Sequence, residues 1–240
     1  MKLVFGDEFN YEGKPDPTKW NYDIGGHGWG NNESQYYTAS EENAYVKDGK
    51  LFIVGKRQKM GDNEYTSAKL ITYGTFSMKY GRIDVSAKLP KGAGSWPAIW
   101  MLPDSIQDGR EDWPLCGEID IMEHVGKDEN MIHVSLHSET YNHVAGTQRT
   151  HFEPLENVTG QFHKYSCQWD EEAITFFYDD RQVARFEKNG PGRDTTEKGW
   201  PFDKEFYLIL NVAVGGNWGG EIDGKMLPFV MEVEYVRIYR

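Results

Sequence analysis

Apolar and polar residues alternate with a period of two along much of the chain, in short runs set off by Gly, Asn, Asp and Pro. The clearest runs are residues 50–54, 81–89, 132–137, 173–178, 206–212 and 231–239. Residues of one parity share a face of a strand, so each run is expected to turn one face to a core. Sustained helical periodicity is scarce, which leaves no helices to cover a parallel sheet and predicts an all-β sandwich or jelly roll. The run at 231–239 reaches the end of the sequence and is expected to pair inside a sheet. The glycine-rich segments 91–95 and 189–192 read as loops, and no low-complexity linker or repeat interrupts the pattern. Residues 1–240 are therefore expected to form a single domain, a length that all-β sandwiches commonly reach as one unit.

Charge narrows the partners. Lys and Arg number 26 against 38 Asp and Glu, a net charge of −12 that repels phosphate backbones and anionic membrane surfaces. Nucleic acid and membrane are not expected partners, whereas a neutral sugar polymer is not repelled. Aromatic residues make up 14% of the chain, with 8 Trp and 14 Tyr, and a pyranose ring has an apolar C–H face that stacks on such rings. Most of the individual Tyr and Phe are expected in the β core instead. The two cysteines, Cys116 and Cys167, make no disulfide framework and are expected to be buried thiols. The first residues carry too short an apolar run for a secretory signal, so a secreted protein would have its signal outside this numbering.

The chemistry concentrates in Glu118-Ile119-Asp120-Ile121-Met122-Glu123. On a regular strand Glu118 and Asp120 share a face and Glu123 points the other way. One inserted residue, a β-bulge at Ile121-Met122, returns Glu123 to the face of the other two acids, and bulges concentrate beside active sites. The two Glu Cα atoms then lie about 13 Å apart at ~3.3 Å per residue. Side chains leaning inward by about 4 Å each leave roughly 5 Å between carboxyls, the separation for retaining rather than inverting glycoside hydrolysis. Crowded acids repel, which raises at least one pKa and keeps one group protonated near neutral pH. Spacing alone leaves two other readings open: a solvated edge strand with alternating acids, or a metal site including His124. Trp113-Pro114 just before the strand and Trp96-Pro97-Ala98-Ile99-Trp100 upstream favour sugar chemistry.

Gly117 to Glu123, together with Ser95-Trp96-Pro97-Ala98-Ile99-Trp100-Met101-Leu102-Pro103, resembles glycoside hydrolase family 16, and within it the laminarinases. The resemblance continues through Phe5-Gly6-Asp7-Glu8-Phe9-Asn10, Asn31-Asn32-Glu33-Ser34-Gln35-Tyr36-Tyr37-Thr38, Asn211-Val212-Ala213-Val214-Gly215-Gly216 and Tyr235-Val236-Arg237-Ile238-Tyr239. It implies a jelly-roll sandwich of two curved antiparallel sheets with an open cleft on the concave face. It also implies retaining endo-hydrolysis of 1,3-β-glucan by double displacement, with Glu118 as nucleophile, Glu123 as acid/base, Asp120 as the helper beside the nucleophile, and no cofactor for the chemistry. Met122 matters to linkage, because members cutting 1,3-linked glucans resemble this spacing whereas lichenase-like members lack the extra residue.

The same resemblance implies cleft roles for Trp96 and Trp100, glycone-side hydrogen bonding for Arg82 and Asn32, a histidine beside the catalytic strand in His137, and a tryptophan at the cleft edge in Trp218. Each has a structural alternative: of the two tryptophans on β parity at least one could be core, His137 could be a satisfied structural residue, and Arg82 a surface cation. A structural Ca²⁺ is implied at Glu8, the Gly49 carbonyl and Glu234, oxygen donors that suit Ca²⁺; Glu234 departs from the family's Asp. The expected partner is a β-glucan polysaccharide or oligosaccharide, and the expected protein is a secreted monomer. The alternatives are a family 16 hydrolase preferring mixed-linkage 1,3-1,4-β-glucan or an algal galactan, and a non-catalytic β-glucan-binding module. Modules of that last kind lose catalytic carboxylates, and this chain keeps all three.

Overall fold

The computed structural model describes residues 1–240. Seventeen strands follow in chain order: β1 Leu3–Asp7, β2 Asn21–Tyr22, β3 Gln35–Tyr37, β4 Ala44–Lys47, β5 Lys50–Met60, β6 Asn63–Ser67, β7 Lys69–Ile71, β8 Gly81–Lys88, β9 Ser95–Pro103, β10 Glu118–Glu123, β11 Met131–His137, β12 Arg149–Pro154, β13 His163–Trp169, β14 Ala173–Tyr178, β15 Arg181–Glu187, β16 Phe206–Val214 and β17 Phe229–Tyr239. Two single-turn helices, α1 Asp104–Gln107 and α2 Gly216–Gly219, are the only helical segments. Every run singled out by periodicity falls on a strand. No helix is long and apolar enough to cross a membrane.

The strands make two sheets. The larger runs β15-β14-β13-β8-β17-β5-β6-β3, with β1 added beside β17 and β4 beside β5. The smaller runs β12-β11-β10-β9-β16-β7-β2 and carries the acidic strand β10 in its interior, third from the β12 edge. Pairing is antiparallel throughout except between β3 and β6. The C-terminal strand lies inside the larger sheet between β8 and β5, which satisfies both of its backbone edges.

Period-two alternation builds the core. On β17, Phe229, Met231 and Val233 are buried with solvent-side residues between them. They join a cluster of 41 buried apolar residues, including Ile83, Val85, Ile99, Met101, Leu208 and Leu210, that fills the space between the sheets. Central strand β16 is buried along its whole length, one face in this core and the other beneath the cleft. Its cleft-side residues Tyr207 and Ile209 form a second, small apolar cluster with Ile71 and Leu102, against which Trp100 and Trp113 pack. Cys116 and Cys167 are buried free thiols, and burial pushes the Cys116 thiol up to about 12.

Candidate active site

The floor of the site is strand β10. Gly117 leads into it with φ of 88°, and a Cβ there would sit 2.7 Å from Pro201 Cγ, so only glycine lets the chain turn in this close to the 200–202 segment. Asp120 pairs with Ser135 on β11 and with Trp100 on β9, and Glu123 pairs with His133 and Ala98. Three steps on β10 thus face two steps on each neighbour, which is a bulge at Ile121-Met122. Both of those residues are fully buried. The extra residue is absorbed by the core, and Glu118, Asp120 and Glu123 all line one cleft of about 910 Å³.

The acids are tightly grouped. His137, opposite Glu118 on β11, places Nε2 3.7 Å from Glu118 Oε1 and 3.2 Å from Asp120 Oδ2. The indole of Trp96 donates from Nε1 to Glu123 Oε1 at 3.1 Å. Burial raises the pKa of Glu118 well above the carboxylate range, with the Asp120 charge adding to it and His137 opposing it. Asp120 is raised by burial and then by Glu123. Glu123 is raised by burial, while His137 and the Trp96 hydrogen bond favour its charged form. Three crowded acids, with Asp120 buried and Glu118 and Glu123 part-buried, repel one another, and this favours an acid and a carboxylate side by side in one site. Glu118, Asp120 and His137 present donor atoms within 4.8 Å of one another. His124, the histidine that a metal reading would enlist, is fully buried and does not line the cleft.

The wall on the β16 and β7 side is polar and pre-organised. Trp100 Nε1 donates to Asn211 Oδ1 at 2.7 Å, and Asn211 Nδ2 donates to the Tyr37 hydroxyl at 2.9 Å. Glu33 accepts from Gln35 at 2.6 Å and from Asn31 at 3.3 Å, and burial raises its pKa. Lys69 Nζ pairs with Asp23 at 2.9 Å and lies over the rings of Trp29 and Trp100 at 4.4 and 5.0 Å. On the other side, Trp113, His137 and His143 form a cluster of rings with centroids 5.0–6.0 Å apart.

The structure gathers most of the residues expected from sequence. Trp96 and Trp100 both line the cleft, neither being core, and His137 and Trp218 join them. Arg82 does not: it lies on β8 in the other sheet, where Nε bonds Asp84 at 2.7 Å and Nη2 reaches Asp180 at 3.2 Å. Of the two readings, a strand cation held by carboxylates is the one this placement fits, because β8 belongs to the larger sheet and local sequence carries no sign of which sheet a strand joins. Asn32 is displaced by one residue from the cleft wall. Its φ of 53° turns it outward, and its amide donates to Asn217 Oδ1 at 2.8 Å, while Asn31 and Glu33 line the cleft.

The calcium candidates do not make a cation site as arranged. Both Glu8 carboxylate oxygens accept from the Arg237 guanidinium at 2.8 Å, so a cation already occupies that carboxylate. Glu234 Oε2 accepts from Ser86 at 2.7 Å, and Gly49 sits in the turn between β4 and β5. None of the three shares a partner with another.

Lys69, Asn211, Trp29, His133 and Phe152, to which sequence assigns no role, line the cleft as well, and Trp113, noted only as a neighbour of the acidic strand, joins them. For Asn211 and Trp113 the signal was present in the segments already singled out. Lys69, His133 and Phe152 are brought in by register across strands, and Trp29 by the turn that follows β2.

Known proteins are similar to this chain in both sequence and shape. The β-glucanase of Rhodothermus marinus is 47% identical, the match covering all of this chain and 85% of that protein. The crystal structure of the laminarinase from the same organism superposes with a TM-score of 0.95 at 48% identity, covering 100% of this chain and 97% of that one. A mutant of a non-specific endo-β-1,3(4)-glucanase, co-crystallised with 1,3-β-D-cellotriosyl-glucose, superposes with a TM-score of 0.93 at 43% identity, covering 100% and 94%. In some longer relatives this chain corresponds to a part only, 38% of one and 55% of another. Residues 31–236, which carry the bulged acidic strand and the walls around it, match the profile of the glycosyl hydrolases family 16, and the chain belongs to that family.

Proposed function

We propose that this protein is a retaining endo-1,3-β-glucanase acting on laminarin-like β-glucans, with Glu118 as nucleophile and Glu123 as acid/base. The observation that carries this is the bulge, which sets Glu118 and Glu123 on one concave surface with Asp120 between them. In the first step Glu118 attacks the anomeric carbon, the glycosidic C–O bond breaks, and Glu123 gives its proton to the departing oxygen. In the second step Glu123 takes a proton from water, the hydroxyl adds to the anomeric carbon, and Glu118 leaves as a carboxylate. Two inversions give net retention.

Other side chains serve these steps. Burial keeps the cluster partly protonated, which supplies the acid. Asp120 lies beside the nucleophile and holds the same face through His137. Trp96 is anchored to Glu123 and Trp100 to Asn211, so both indoles are fixed before substrate arrives and little ordering entropy remains to be lost on binding. The chemistry needs no cofactor.

A second reading, hydrolysis of mixed-linkage 1,3-1,4-β-glucan, is favoured by the similarity to a non-specific endo-β-1,3(4)-glucanase. We further propose a single catalytic domain working as a secreted monomer. An intact glucan polymer is met outside the cell, and a net charge of −12 keeps copies apart. The deciding experiment incubates the protein with laminarin, mixed-linkage glucan, agarose and carrageenan. Reducing ends from laminarin first, with the β-anomer as the initial product by NMR, is the expected result. No release from any of the four overturns the hydrolase reading.

A further inference from the structure

The register of the cleft sheet places one residue from each of six strands in a single row: Lys69 on β7, Asn211 on β16, Ala98 on β9, Glu123 on β10, His133 on β11 and Phe152 on β12. All six line the cleft. The row runs across the strands, so a polymer lying along it passes the acid/base and continues over the β12 edge. Lys69 and Asn211 stand at one end, and Phe152 at the other.

Phe152 is 58% exposed, one of the few large apolar side chains left open to solvent. A lone exposed apolar residue is ordinary, but this one is held in place. Its ring lies 5.3 Å from His133 at an interplanar angle of 31°. His133 meets Trp218 at 4.8 Å, and Trp218 meets Trp96 at 5.5 Å, both edge to face. This line of rings ends on the indole that donates to Glu123. The opposite face of β12 is engaged elsewhere: His151 bonds Glu153, and Glu153 is paired with Arg181 on β15. Apart from the His133 contact, the Phe152 ring makes no aromatic pair, and most of the residue stays open to solvent. Strands β10 and β12 are two spacings apart, about 10 Å, which leaves room for a sugar beyond the pair flanking the cleaved bond.

We infer that Phe152 is an outlying sugar-binding platform, on which the C–H face of a glucosyl unit stacks, and that it makes cleavage favour long chains over short ones. This rests on the β-glucanase reading above. The aromatic ring suits the apolar face of a pyranose, and its placement at the far end of the row restricts its contact to chains that extend past the β12 edge.

The test is kcat/KM of Phe152→Ala on laminari-oligosaccharides of increasing length and on laminarin. A loss of roughly three- to tenfold is expected for the longer chains, with none for the shortest chain cleaved, and Phe152→Trp should restore the long-chain rate. Should the alanine variant melt early, Phe152→Leu, which keeps apolar volume without a flat face, takes its place. Equal effects at every length, or no effect at any, overturn the inference. An unmutated protein inactive on the whole series refutes the β-glucanase reading itself, and this inference with it.

Discussion

Trp96 Nε1 donates to Glu123 Oε1 across 3.1 Å, from strand β9 to the bulged end of strand β10. The bond favours the charged form of a carboxyl that burial drives toward the neutral one. The indole therefore does two things: it presents an aromatic face to the cleft and moderates the proton affinity of the acid.

Trp96→Phe keeps a ring and removes the donor. Without it the Glu123 pKa rises further, so the acid stays protonated to higher pH. The alkaline limb of the kcat/KM profile is expected to move to higher pH. A limb that stays in place or moves down contradicts this account of the bond.

Glu118→Ala removes the atom that bonds to the anomeric carbon, and turnover should be lost for every substrate. Glu123→Ala should slow hydrolysis of unactivated glucan by about 10²- to 10⁴-fold and aryl glycosides with good leaving groups far less. Comparing the two variants on laminarin and on an activated aryl glycoside checks the division of labour. Full activity in either variant refutes the assignment.

Deleting Met122 returns β10 to regular period-two spacing, with Glu118, Asp120 and Glu123 still on one face. Hydrolysis should persist, and the ratio of activity on laminarin to that on mixed-linkage glucan should fall. The deletion also takes a fully buried side chain out of the core, at a cost of about 2–5 kcal/mol, visible as a lower melting midpoint. An unchanged linkage ratio would remove Met122 from the account of specificity.

Chelation should leave the melting midpoint where it is. Arg237 already supplies the cation at Glu8, and Glu234 is bonded to Ser86 instead of facing the same point. A fall in the midpoint on adding chelator, reversed by Ca²⁺, contradicts this arrangement.

The residues that carry the chemistry were legible because they are contiguous. Glu118, Asp120 and Glu123 sit within six positions, and strand parity alone shows that one residue must bulge for the three to meet. For Trp96 and Trp100 parity alone left open that one was core, and the fold puts both in the cleft. Arg82 shows where such reasoning stops: β8 alternates like β9, yet it belongs to the other sheet, and its guanidinium pairs with Asp84 and Asp180. Asn32 shows a subtler limit, since one left-handed residue reverses which of three neighbours faces the cleft.

Alternation and turn residues dictated an all-β sandwich and the composition of its acidic strand, because both depend on interactions between residues near in the chain. The tertiary structure decided everything that depends on pairing between distant strands. It set Lys69, Asn211, His133 and Phe152 in one row with Glu123, although they are spread from position 69 to position 211. It also put the Arg237 guanidinium against Glu8. Cross-strand register is fixed by how two hydrophobic faces close on each other, and no local pattern encodes that closure.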